Sequence, residues 1–163
     1  MIKLVYDCIM APSDIANILQ VVLALGECEL YFTGHCLRHD HSKVIYKINS
    51  WSRQIKESGY PDFNIHYYPS LDELSDVFKK QNIRLIGTSP HASKSFYELN
   101  LAKNDFAILF GNEITGLSKN KLTLVDELVK IPMCANIDFM TLALITPIVA
   151  YEIARQQGKF III

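Results

Sequence analysis

Five apolar residues in a row, Phe106 to Phe110, run straight into Gly111. A run that short, with no polar alternation, suits a strand covered on both faces, as in a parallel sheet layered between helices. Gly111 and Gly116 bracket the turn that follows, and glycine lets a backbone turn sharply and approach a ligand closely. Leu128 to Met133 reads as a second short strand, stopped by Pro132, which cannot donate to a sheet ladder. Ile137 to Gln156 has the length and apolar content of a buried helix. Two strand ends and a helix start therefore meet in one place, where open α/β sheets bind their ligands.

The remainder of the chain repeats the same alternation. Strands are expected at Lys3 to Met10, Glu29 to Thr33, Asn64 to Tyr68 and Arg84 to Thr88. Helices are expected at Ser13 to Leu25, Ser42 to Ser58 and Leu71 to Gln81. Ile15, Ile18, Leu19, Val22 and Leu25 recur at helical spacing, with Ser13 or Asp14 as cap and Gly26 as stop. Val44, Ile48, Trp51 and Ile55 mark one face of the second helix, and Ser70 is a cap for the third. This order predicts an α/β fold, a mostly parallel sheet with helices on both faces. A chain of 163 residues is expected to form one domain, 1–163, and to bury about 70% of its unfolded surface. A net charge of −1 excludes wholesale coating of nucleic acid, though not a local basic patch. Cys8, Cys28, Cys36 and Cys134 form no CxxC pair and are expected to be reduced and mostly buried. The amino terminus lacks a signal-peptide pattern, and the longest apolar run, Phe139 to Tyr151, is too short for a bilayer. A soluble, cytoplasmic protein is expected.

Three segments carry a resemblance. Leu109 to Ser118, LFGNEITGLS, is similar to the second signature of the SpoU/TrmH branch of the SPOUT RNA methyltransferases. Ile131-Pro132-Met133 and the run to Tyr151-Glu152 resemble the third. The resemblance implies a C-terminal trefoil knot, which general topology rules would exclude. It also implies S-adenosylmethionine as cofactor, RNA (tRNA or rRNA) as partner, and methyl transfer to a ribose 2′-oxygen held in line with the sulfonium methyl. Residues matching the cofactor site are Thr88, Leu109, Gly111, Gly116, Ile131, Met133 and Leu142. The first signature, Pro-x-Asn-x-Gly with an arginine four residues on, is matched here by Pro12, Asp14, Ala16 and Gln20. Only the proline is retained. Gln20 can orient an oxygen but cannot accept its proton. Asp14 is able to act as base, yet a helix N-terminus is expected to lower its pKa and suit it to capping. Thr141 stands where the third signature has asparagine. The family's chemical positions thus fall on Gln20, Glu113 and Thr141, with Glu113 expected to fix its loop or meet the substrate. An RNA-binding relative with impaired catalysis is the second reading.

From His35 to Lys56 the basic residues Arg38, Lys43, Lys47, Arg53 and Lys56 face one acid, Asp40. His35, His39 and His41 lie in the same loop, which faces RNA in the resembling enzymes. RNA contact is therefore assigned to His35, Arg38, His39 and Lys43. The His-Cys-x-x-His-x-His run lacks a zinc spacing, and no metal is assigned. No G-x-G-x-x-G follows the first strand, which disfavours a dinucleotide oxidoreductase. Val21, Val22 and Leu23, with Leu142 to Ile148, give the first and last helices more apolar surface than one face needs, so a homodimer is expected.

Overall fold

The computed structural model describes residues 1–51, 62–134 and 140–159. Among these, β1 (Ile2–Asp7), β2 (Cys28–Thr33), β3 (Ile65–Tyr68), β4 (Arg84–Thr88), β5 (Lys94–Ser95), β6 (Phe106–Phe110) and β7 (Glu127–Lys130) form one sheet. Its spatial order is β3-β2-β1-β6-β4-β7-β5, and every pairing is parallel. The helices are α1 (Pro12–Leu25), α2 (Ser42–Trp51), α3 (Leu71–Lys80), the single turn α4 (Lys119–Leu122) and α5 (Leu142–Gln156).

Period-2 alternation distributes the strand side chains between two cores. Leu4, Tyr6, Leu30, Phe32, Ile108 and Phe110 face α1, α2 and α5. Val5, Tyr31, Leu85, Ala107 and Leu109 face Leu71, Leu74 and Phe78 of α3. All five residues of β6 are buried, because β6 lies between β1 and β4 with helices on either side. The expected α/β architecture therefore holds. Helix α3 follows its sequence signals: Ser70 accepts the Glu73 N–H at 3.2 Å, acids occupy the first turn, and Lys79 and Lys80 the last. Tyr6 and Thr146 share a buried hydroxyl hydrogen bond of 2.9 Å that ties β1 to α5.

Several boundaries differ from expectation. β1 ends at Asp7, three residues early, because Cys8 adopts φ 57° and turns the chain out of the ladder. Helix α1 is capped at Ala11 with Pro12 in its first turn, so neither Ser13 nor Asp14 caps it. Gly26 does stop it, at φ 79°, with its N–H on the Val22 carbonyl at 2.8 Å. β7 runs from Glu127 to Lys130 rather than to Met133. The last helix begins at Leu142, not Ile137, and the second is described only to Trp51. Arg53, Ile55, Lys56 and residues 135–139 lie outside the described residues, and with the latter the path on which the expected knot turns. β5 and the 3₁₀ turn Phe96–Glu98 were not expected. The turn is set by a reciprocal cap in which Ser95 accepts from Tyr97 N–H and Glu98 accepts from Ser95 N–H.

Candidate functional site

Parallel strands place all their C-terminal ends on one edge of the sheet. β4 lies between β6 and β7, so Thr88, Phe110 and Lys130 end side by side. Thr88 donates its hydroxyl to the Leu109 carbonyl at 3.0 Å, and Ser89 N–H reaches Val129 O at 2.9 Å. The structure thus brings together Thr88, Leu109, Gly111, Gly116 and Ile131. Leu142, at the start of α5, and Ile131 are both buried in the larger core. Met133 is half-buried on the segment between them. Among the described residues, the main-chain groups of Ile131, Met133 and Cys134 engage in no hydrogen bond. Amide donors and acceptors beside buried apolar side chains are the donor set that an adenine edge and face require.

The Gly111–Gly116 turn is held from within. Asn112 accepts the N–H groups of Ile114 and Thr115 at 2.9 and 3.1 Å, and Gly116 N–H reaches Asn112 O at 2.9 Å. A Cβ on Gly111 would sit 2.5 Å from the Gly116 carbonyl carbon, and Gly116 itself has φ 63°. Gly111 therefore requires glycine, and the left-handed backbone at Gly116 favours it. The turn is also fastened outward: Asn112 donates to Cys8 O at 2.8 Å. Glu113 Oε1 accepts from Met10 N–H at 3.0 Å and Ala11 N–H at 3.1 Å. Its carboxylate thereby satisfies amides entering α1, the capping role expected of Ser13 or Asp14.

Asp14 lies half-buried in the first turn of α1. Burial, then the charge of Glu113, raises its pKa above the ordinary aspartate value. The expected lowering is overturned, because desolvation and a like charge outweigh the helix end. Gln20 is exposed on the same helix. It lies about 13 Å along the axis from Ala11, at 1.5 Å per residue, so the fold does not bring it to Glu113. Thr141 caps α5 through its carbonyl, which accepts from Leu144 and Ile145 N–H, while its side chain makes no cap bond.

Reasoning from the sequence missed Asp7 and Lys121. Asp7, 2% exposed at the end of β1, accepts the Thr33 hydroxyl at 2.9 Å and forms an ion pair with Lys121 of α4. The partners stand 114 positions apart, and no local pattern in the sequence links them.

In the basic loop, the residues assigned to RNA divide into two groups. Arg38 is held by Asp40 through two contacts, 3.0 and 3.1 Å, and stacks over Tyr67 at 4.7 Å. His39 is bound through its ring and its N–H to the Tyr67 hydroxyl at 2.8 and 2.9 Å. Burial lowers its pKa, so it is neutral at pH 7. These two order the loop rather than present unanswered charge. His35 and Lys43 are exposed. Cys36 donates to Thr33 O at 3.2 Å and accepts from Ile9 N–H at 3.3 Å. No cluster of three or more His, Cys, Asp or Glu fit for a metal occurs among the described residues.

The profile of the SpoU rRNA methylase family matches residues 1–151, spanning every described strand and the first ten residues of α5. The chain belongs to the SpoU rRNA methylase family. A Synechocystis protein named as an uncharacterized tRNA/rRNA methyltransferase, slr1673, is 26% identical over 94% of this chain and 53% of its own length. This SpoU chain therefore spans about half the length of that relative. A tRNA (guanosine(18)-2′-O)-methyltransferase of Thermus thermophilus is 26% identical over 62% of the chain and 58% of its own. Among solved structures, the SpoU methyltransferase AviRb of Streptomyces viridochromogenes superposes with a TM-score of 0.80 at 24% identity, covering 98% of this chain and 60% of AviRb. A second structure of AviRb holds AdoMet. No helix among the described residues is long and apolar enough to cross a membrane.

Proposed function

We propose that this chain transfers a methyl group from S-adenosylmethionine to a ribose 2′-oxygen of a tRNA or rRNA. The observation that carries the reading is the convergence of Thr88, Gly111 and the unengaged main chain of Ile131–Cys134 at three adjacent strand ends. Main-chain groups there would hold the adenine edge, and Ile131 and Leu142 its face. S-adenosylmethionine supplies the electrophilic methyl. The chain's own contribution is to orient the oxygen, exclude water and receive the proton, and Asp14 is the carboxylate suited to the last step.

Exposed Leu144 and Tyr151, with half-exposed Val21 and Leu23, support a homodimer interface on the α1–α5 face. Val22 is buried within the protomer and contributes nothing to it. Across such an interface Gln20 would face the partner's site. Sedimentation at micromolar concentration should give a dimer, and a monomer would overturn this part. Family membership supports threading of the segment before α5 into a knot. An experimental structure in which that segment passes outside the Gly111–Gly116 loop would remove it.

The second reading, an RNA-binding relative with impaired chemistry, is favoured by Gln20 and Thr141 at the chemical positions. Calorimetry with S-adenosylmethionine and tritium transfer to bulk tRNA and rRNA separate the two. Binding with transfer supports the enzyme. Binding without transfer, restored in Gln20→Arg with Thr141→Asn, supports the impaired relative. No cofactor binding removes the enzyme and leaves an RNA-binding scaffold.

A further inference from the structure

We propose that a cleft between α2 and the start of α1 holds one nucleotide of single-stranded RNA, its base stacked on Tyr46 and its phosphate between Lys43 and Lys47. This rests on the RNA-substrate reading above and names a contact that the reading does not require. The cleft has a volume of about 380 Å³ and is lined by Pro12, Ser42, Lys43, Tyr46 and Lys47. Its size falls within the range of small-molecule sites, roughly 300–1,000 Å³.

The fold has no use for Tyr46 where it stands. Helix α2 already buries Val44 and Ile48, at 0% and 1% exposure, whereas Tyr46 is 72% exposed. A large aromatic ring left in water, one residue before a lysine and three after another, combines a stacking surface with phosphate-binding charge. Lys43 and Tyr46 are neighbours at i, i+3, and Lys43 and Lys47 at i, i+4, so all three share a side of the helix. Helix α2 carries no acid, and the nearby Asp40 is engaged by Arg38. The ammonium groups of Lys43 and Lys47 and the Tyr46 hydroxyl have no partner among the described residues. Position completes the case. Pro12 forms the facing wall, and the residues just before it are the amides held by Glu113. The cleft therefore opens beside the residues that fasten the Gly111–Gly116 turn. An acidic peptide would satisfy the lysines but leave the flat Tyr46–Pro12 surface without a matching π-face.

The test uses a fluorescein-labelled 12-residue mixed-sequence oligoribonucleotide and fluorescence anisotropy across a salt series. Tyr46→Ala should weaken binding about 5- to 150-fold, the range for losing one stacked base, and Tyr46→Phe should bind like wild type. Lys43→Gln with Lys47→Gln should flatten the salt dependence, removing about 0.7 from the log–log slope for the one phosphate on a single strand. Circular dichroism melts confirm that these surface variants fold. Wild-type binding that is unchanged in Tyr46→Ala overturns the cleft while leaving the RNA reading intact. Absence of wild-type binding overturns both. Displacement of the oligonucleotide by poly-aspartate, with no difference between Tyr46→Ala and Tyr46→Phe, assigns the cleft to acidic peptides and overturns the nucleotide.

Discussion

Replacing Lys121 with methionine should destabilise the protein far more than a surface ion pair warrants. Asp7 is 2% exposed and keeps the Thr33 hydroxyl and the weak Cys8 thiol donor at 3.7 Å once the ammonium is gone, while the Lys121 side chain is 30% exposed. Removing one partner of a fully buried pair costs about 3–5 kcal/mol, because the remaining charge is stranded. Partial access of water at the lysine end places this case at the lower limit, about 3 kcal/mol. For a domain of this size, that corresponds to a melting temperature lower by about 6–12 °C. Urea denaturation should show a lower midpoint with an unchanged slope. Asp7→Asn in the Lys121→Met background removes the stranded charge, so the double variant should be more stable than Lys121→Met alone. A loss below about 0.5 kcal/mol, as for an exposed pair, would refute the reasoning. So would strict additivity in the double-mutant cycle.

Glu113→Ala removes the acceptor of two amides and should cost about 1–2 kcal/mol, whereas Glu113→Gln, which keeps a carbonyl, should cost less; thermal melts distinguish them. If Asp14 receives the proton, Asp14→Asn should lower methyl transfer by about 10² or more. Because the folded pKa of Asp14 is raised, transfer should be present above that value and lost as pH falls through it. Glu113→Gln should move the acid limb of kcat/KM to lower pH, and an unmoved limb would exclude Asp14. Burial pushes the thiols of Cys28 and Cys36 up to about 11, while Cys134 is exposed. N-ethylmaleimide should therefore label Cys134 in the folded protein, and S-adenosylmethionine should protect it. Equal labelling with and without cofactor would separate Cys134 from the pocket.

Much of this arrangement was legible because it is local. The FAILF run, the Ser70 cap and the Gly26 stop each state their structure within a few residues, and parallel alternation follows from their order. The Gly111–Gly116 turn was legible because glycine admits sharp turns that other residues resist, and the end of β7 because Pro132 cannot donate to a ladder. What stayed hidden depends on tertiary partners. Asp14 reads as a capping carboxylate until Glu113 arrives from about a hundred residues away and takes the role. The charge of the basic loop was overcounted because Tyr67, on β3, draws in both Arg38 and His39. β5 was missed because two residues, Lys94 and Ser95, carry no periodicity.

The Tyr6–Thr146 hydrogen bond has a consequence for how the chain is made. A ribosome that has released everything through β7 has produced all seven described strands. The layer of Val149, Ala150, Ile153 and Ala154 that covers one of their faces is still missing. Tyr6 must then wait beneath exposed apolar surface until residue 146 emerges. The arrival of α5 therefore both seals the core and supplies the helix bordering the candidate pocket, so a product stopped before it would be sticky and short of one pocket wall, a natural client for chaperones.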